Sequence, residues 1–308
     1  MISKNKNKIK CPNCKHNEVI KWGKRKTDNR GKVQRYKCKK CNDTFINDPF
    51  ARMRNSPQKI TCALDLFFRG LSTREVQNHF KCFFPHNSDH STILRWIRKF
   101  SLKISNYTDN IKLKTGSYIE IDEMEYHRRK SHKKKLGIDK NWFIDSIDVR
   151  SRFMISSSYV KARNQKELKS VLTNIKNKTG EQVKIVTTDG LTQYPKVVKS
   201  VYGYYNLKKG LVNHNVVNAS RGEGFNIWVE RMHNSIRQRT QNFRGFHGSV
   251  ESANAIMKGL EIYYNFIRKH QSLNGKTPSE IATDIKLTNP NKWLELIEMA
   301  NLPLNNLI

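Results

Sequence analysis

Two short apolar runs that each end in an acid constrain this chain more than any other feature. Residues 117–124 read SYIEIDEM, with Ile119 and Ile121 alternating against Glu120 and Asp122. That period of two fits a strand that ends in acids. Residues 183–188 form a second apolar run and deliver Asp189 to a turn at Gly190. Between the two runs, residues 141–149 and 153–160 read as further strands of an antiparallel meander. Residues 164–178 follow as a helix with Leu168, Val171, Leu172 and Ile175 inward, and residues 194–201 as another helix beyond the second run. The order is three strands, helix, strand, helix. If the first and fourth strands are neighbours, Asp122 and Asp189 lie side by side.

A third acid sits in residues 226–246, NIWVERMHNSIRQRTQNFRGF. Ile227, Glu230, Asn234 and Arg237 recur at spacings of three, four and three and so share one face of a helix. Taken alone, Glu230 reads as an exposed acid pairing along a solvated basic helix. A helix crossing the sheet edge that carries Asp122 and Asp189 changes that reading, because it adds a third carboxylate. Three carboxylates converging on one point repel unless divalent cations sit between them. Such a trio suits two Mg2+ (or Mn2+) ions and phosphodiester chemistry. His233, three residues after Glu230, either contacts the scissile phosphate or packs, and His214 reads as a surface strand residue or a member of the site.

Charge points to the partner. The 308 residues hold 58 Lys and Arg against 26 Asp and Glu, a formal charge of +32. Self-repulsion of that size strains a compact fold unless a polyanion shares the surface. Residues 1–60 alone contain 18 Lys and Arg against 4 Asp and Glu. No run of about 18 apolar residues and no signal-peptide pattern is present, so the expectation is a soluble, non-secreted protein with nucleic acid as its first candidate partner.

Two Cys-x-x-Cys pairs, Cys11/Cys14 and Cys38/Cys41, are separated by 23 residues that read as two strands around a polar turn. Two such knuckles complete a tetrahedral S4 site for structural Zn2+. Cys62 and Cys82 lack metal spacing and read as small buried apolar residues. Next come three short helices: one from Pro57 closed by Gly70, one opened by the capping box Ser72–Glu75, and one from about Ser91 to Leu102. They suggest a helix-turn-helix, with Arg95, Arg98 and Lys99 on the exposed face of the third helix. The basic run HRRKSHKKK (residues 127–135), with Arg128 and Arg129, leaves the Asp122 strand and reads as a phosphate-gripping hairpin. Val250, Ala253, Met257, Leu260, Tyr264 and Ile267 give a long helix with one apolar seam. Thr277–Glu280 has capping-box spacing, and residues 289–308 read as one more helix and a tail.

The stretches IEIDEMEYH, IVTTDGLTQYP, NIWVERMHNSIRQRTQNFRGF and YYNFIRKHQSLNGKTPSEIA cover most of residues 115–283. Together they resemble the DDE transposases of bacterial and archaeal insertion sequences, which share the RNase H-like core of retroviral integrases. The resemblance implies that Asp122, Asp189 and Glu230 hold the catalytic metals, and that Arg237 contacts DNA. It also implies that the zinc ribbon and helix-turn-helix recognise the element's ends, and a cytoplasmic, nucleoid-associated place on double-stranded DNA, with no membrane partner. The 40 residues between Asp189 and Glu230 exceed the short gap common in that family. The expected fold is α/β, an RNase H-like mixed five-stranded sheet with flanking helices. The expected domains are a zinc ribbon (1–50), a helix-turn-helix (51–110), a DDE core (111–275) and a helical tail (276–308). The expected function is a transposase that cleaves DNA and transfers strands, working as a homodimer or higher assembly. The alternatives are a non-catalytic DNA-binding regulator derived from a transposase and a simple RNase H-like nuclease.

Overall fold

The computed structural model describes residues 9–301, apart from residues 29, 85–87, 127, 131–136, 219–223, 225, 244–245 and 248. The chain divides into two compact bodies, Met1–Asp65 with Leu287–Ile308, and Leu66–Lys286. The domain boundaries expected from the sequence are 50, 110 and 275.

In the first body, β1 (Val19–Thr27), β2 (Gly31–Cys38) and β3 (Thr44–Phe45) form an antiparallel sheet in that order. Its register shifts between Lys21 and Lys24, where Gly23 takes φ +65°, a conformation that suits a residue without Cβ. The two cysteine turns have the same build. Lys15 and Asn42, each four residues after the first cysteine of its pair, are left-handed and donate their N–H to the carbonyls of Cys11 and Cys38. Cys11 Sγ lies 3.6 Å from Cys41 Sγ, Cys14 Sγ lies 3.5 Å from Cys38 Sγ, and all four sulfurs fall within 4.8 Å of one another. A tetrahedral ion with Zn–S bonds of about 2.3 Å needs sulfurs roughly 3.8 Å apart, so the donors fit zinc in number, chemistry and spacing. Helix α1 (Pro57–Phe68) begins in this body, and α10 (Lys292–Met299) packs beside its start. There Asn291 Nδ2 donates to Thr61 Oγ1 at 2.8 Å, and Trp293 Nε1 donates to Asp65 at 3.3 Å. Of the two remaining cysteines, Cys62 is half-buried and Cys82, on the second body, is exposed rather than buried.

The second body is built on a five-stranded mixed sheet. Its strands are β4 (Tyr118–Glu125), β7 (Trp142–Asp148), β8 (Met154–Val160), β9 (Ile185–Thr188) and β10 (Asn213–Val216), in the order β10-β9-β4-β7-β8. The meander β4–β7–β8 is antiparallel, whereas β9 joins β4 in parallel and β10 joins β9 in parallel. A parallel neighbour requires a crossover, which α4 (Gln165–Thr179) supplies. Asn164 caps α4 by accepting from Glu167 N–H. This is the RNase H-like mixed sheet the sequence points to. The fifth strand, β10, follows α5 (Tyr194–Tyr202) and α6 (Tyr204–Lys208). Next come α7 (Ile227–Thr240), α8 (Val250–Ile262) with a π-turn over Tyr263–Ile267, and α9 (Ser279–Ala282). A small sheet orders β11 (Phe246–His247), β5 (Arg128–Lys130) and β6 (Gly137–Asp139).

Helices α2 (Thr73–Phe83) and α3 (His90–Thr108) belong to this body as well. The expected capping box of Ser72 and Glu75 is formed. Helix α3 runs six residues beyond its expected end, and its buried stripe, Ile93, Trp96, Ile97, Phe100, Ser101, Ile104 and Ser105, continues to Thr108. Much of that stripe packs on α8. Lys258 of α8 lies 2.9 Å from Glu261 and 3.5 Å from Asp109 at the end of α3, and Lys178 of α4 lies 2.8 Å from the same Asp109. These buried charges are paired, as burial demands.

Gly259 is where α8 makes its tightest approach. A Cβ at that position would overlap the ring of Phe68 and the hydroxyl of Ser101. Alanine gains about 1 kcal/mol of helix propensity over glycine, but overpacking costs about 1–3 kcal/mol. Gly259→Ala should therefore lower the urea midpoint. An unchanged or higher midpoint would show that Phe68 swings aside freely. For the first body, metal analysis of the purified full chain should return one zinc, and Cys38→Ser should lose it together with a fold stabilised by roughly 10–16 kcal/mol of binding. A Cys38→Ser chain that keeps a full zinc complement would refute the four-cysteine site.

Candidate active site

The pleat of β4 sends successive side chains to opposite faces. Its register sets Asp122 directly across from Asp145 of β7, and Glu120 across from Ile147. Helix α7 lies over this face with Val229, Met232, His233, Ile236 and Thr240 buried. At its N-terminus Asn226 makes no side-chain cap. The first-turn N–H groups of Trp228 and Val229 instead donate to Glu120 Oε2, at 2.8 and 3.0 Å. A sheet carboxylate thus satisfies two orphan donors and faces the positive end of the helix dipole. Further along, His233 Nε2 lies 2.9 Å from Asp145 Oδ1, and Nδ1 lies 3.7 Å from Asp122 Oδ2.

Glu123 leaves β4 on the other face, towards α5. Tyr194 donates its hydroxyl proton to Glu123 Oε1, and Arg163 lies 3.7 Å from Oε2. Asp189 follows β9, the parallel neighbour of β4, and accepts from Leu191 N–H at 3.0 Å. Oxygens of Asp122, Glu123 and Asp189 all lie within 4.8 Å of one another. Burial pushes Asp122 up to about 6, with Asp145 and Asp189 adding to the rise while His233 opposes it. Burial and the charges of Asp189 and Asp122 push Glu123 up to about 7, against the Tyr194 hydrogen bond. Three hard oxygen donors at one point, two of them held towards the neutral form, fit a divalent cation that would restore their charge.

Asp122 and Asp189 are thus brought together as expected. Glu230 is on the first turn of α7, one turn ahead of His233, and exposed; its carboxylate is outside the converging set. The face it shares with Ile227, Asn234 and Arg237 is the outward one, and Arg237 Nη1 donates to Asn234 Oδ1 at 3.2 Å. Glu123 is one of the acids of the run SYIEIDEM, which the sequence does not mark as a ligand. The sequence offers one sign of Asp145, an acid that directly follows the apolar run of Trp142, Phe143 and Ile144. His214, on β10, is not a free surface residue, since its Nε2 lies 2.9 Å from Thr188 Oγ1, just ahead of Asp189. Arg95 and Lys99 are exposed on α3, while Arg98 is half-buried with its Nε shielded from solvent. Arg128 and Arg129 lie on β5, and their side chains fall outside the described residues, as does most of the 127–135 run.

Replacing Glu120 tests its grip on α7. Glu120→Ala leaves two buried N–H groups without an acceptor and should cost about 2–3 kcal/mol in denaturant unfolding, with Glu120→Gln costing less because an acceptor remains. Equal stability of Glu120→Ala and the parent chain would show that water serves those donors as well.

Residues 139–271 match a family of DDE domains, a span that holds Asp189 and Glu230 and begins after Asp122. A putative integrase, ORF3 of Spiroplasma virus SpV1-C74, is 25% identical over 245 residues, 73% of this chain and 65% of that protein. The match thus spans just under two thirds of that relative's length. Among solved structures, the catalytic core domain of HTLV-2 integrase, in complex with magnesium and in dimeric form, superposes with a TM-score of 0.32 at 17% identity, covering 54% of this chain and 96% of that one. The sheet order of the second body, the acids that converge from β4 and the turn after β9, and the matched span 139–271 are together those of a DDE domain.

Proposed function

We propose that the chain is an insertion-sequence transposase that binds the ends of its element, cleaves DNA there and joins the freed 3′ end to target DNA. The observation that carries this reading is the convergence of Asp122 and Asp189 oxygens from two parallel neighbouring strands, Asp122 within β4 and Asp189 just past β9. Two divalent cations, when bound, would activate the attacking oxygen and stabilise the leaving oxygen of a phosphodiester. Asp122 and Asp189 are the ligands on the rigid sheet. Glu230 is the third ligand, carried on the first turn of α7 outside the converging set, and this role requires its side chain to turn towards them. Arg237, exposed two turns later, contacts the DNA backbone.

The charge of +32 supports a polyanionic partner. Among the described residues no helix is long and apolar enough to cross a membrane. The cysteine ribbon and α2–α3, with Arg95, Arg98 and Lys99, read element ends, and Arg128 and Arg129 hold phosphates near the site. The working form is a homodimer or larger assembly on two ends, in the cytoplasm at the nucleoid. Asp122, Asp189 and Glu230 are all present, which argues against a decayed regulator, and DNA-reading modules are superfluous in a simple hybrid nuclease.

The test is cleavage of a labelled element end in Mg2+ by the full chain. Asp122→Asn, Asp189→Asn and Glu230→Gln should each bind the fragment nearly as the parent does yet fail to nick it. The double variants should be no worse than the singles, because the ligands act as a unit. The position of Glu123 among the converging oxygens makes it the rival third ligand, so Glu123→Gln belongs in the same series. Full cleavage by Glu230→Gln with loss in Glu123→Gln would reassign that role. Full cleavage by Asp189→Asn would end the metal mechanism altogether.

A further inference from the structure

His233 is buried between two carboxylates, and the proposed chemistry gives it no task. The residue is 2% exposed and Asp145 is fully buried. The two acids face each other across β4 and β7, and the imidazole enters between them from α7. Its Nε2 is within hydrogen-bond distance of Asp145, at 2.9 Å, whereas Nδ1 is 3.7 Å from Asp122 Oδ2, an electrostatic contact. The other oxygen of Asp122 accepts from Glu123 N–H at 2.8 Å. Both carboxylate oxygens of Asp122 therefore have a fixed neighbour on one side, and the remaining lone pairs are left for Glu123, Asp189 and whatever lies between them. An acid as deeply buried as Asp145 is costly to keep unless it serves a partner, and its partner here is the ring that faces Asp122.

We propose that His233 is a positioning residue of the cation site: held by Asp145 through Nε2, it aims Nδ1 at Asp122 and so fixes the orientation of that ligand. The same contact sets the rotation of α7 about its axis, and with it the direction in which Glu230 leaves the helix. Partners behind a metal ligand commonly govern affinity almost as strongly as the ligand itself. The proposal rests on Asp122 and Asp189 being cation ligands, but not on DNA being cut.

Two isosteres separate the two ends of the ring. In His233→Asn the amide nitrogen takes the place of Nδ1 and faces Asp122; in His233→Gln it takes the place of Nε2 and faces Asp145. The probe is Mn2+, titrated into the full chain by calorimetry, with thermal melting measured in parallel. His233→Gln should weaken Mn2+ binding about 10–100-fold while melting close to the parent chain. His233→Asn should bind more tightly than His233→Gln, and Asp145→Asn should weaken Mn2+ binding although Asp145 lies outside the ligand set. Parent-like Mn2+ affinity in His233→Gln overturns the proposal, as does equal weakening in both isosteres that only tracks a loss of melting temperature. If the His233 variants do not fold, Asp145→Asn decides, and an unchanged affinity there overturns it. Mn2+ binding that depends on Asp189, Asp145 and His233 in a chain that cuts no DNA supports the proposal and overturns the transposase reading. Mn2+ binding indifferent to Asp189→Asn overturns both.

Discussion

Like charges repel most where water is scarce, and one end of the five-stranded sheet is arranged around that fact. Five acids, Glu120, Asp122, Glu123, Asp145 and Asp189, lie on or beside three neighbouring strands. Each has a specific counterpart. Glu120 meets the N–H groups that open α7, Asp145 and Asp122 meet His233, Glu123 meets Tyr194 and Arg163, and Asp189 meets the backbone of its own turn. What these contacts leave over appears in the carboxyls of Asp122 and Glu123, raised to about 6 and about 7. The fold tolerates this crowding because burial of Ile119, Ile121, Phe143, Ile144 and Val186 around it supplies the compensating stability.

Helix α7 owes its place to the same acids. Its hydrophobic stripe of Val229, Met232 and Ile236 brings it to the sheet, but such a stripe alone permits sliding. Glu120 at the first turn and Asp145 through His233 one turn later act as two fixed points about a turn apart. Two points suffice to define both translation and rotation of a rod. The outward residues Glu230, Asn234 and Arg237 are then presented in a set order along the surface.

Much of this was legible in the chain. The period-two run of β4, the apolar run of β9 and the amphipathic α4 between them imply the sheet order and the pairing of Asp122 with Asp189. The cysteine spacing likewise implies the ribbon. What was not legible lies in tertiary contacts. Glu123 leaves β4 on the side opposite to Asp122, and a period-two reading does not put their oxygens within 4.8 Å of each other. Glu120 reads as one more exposed acid until α7 is laid across it. The four residues of β10 are mostly exposed and carry too weak an alternation to stand out. Helix α3 joins the second body through α8, more than 140 residues later, and no local pattern announces that partnership. The outward placement of Glu230 is that of an exposed acid on a basic helix, and its proposed role requires the side chain to turn inward.

The parallel pairing of β4 with β9 has a temporal side. A ribosome releases residues in order, and the ribbon cysteines and α1 emerge long before Asp189 does. Strand β4 can pair at once with β7, because that partner follows within about two dozen residues. Its other edge must wait for α4 to be made and folded back, and the grip on α7 waits longer still. Non-local pairings of this kind form slowly and late. A nascent chain can therefore pair its ribbon strands early, yet the body that holds them is closed by α10, which leaves the ribosome only after β4 and β9 have done so.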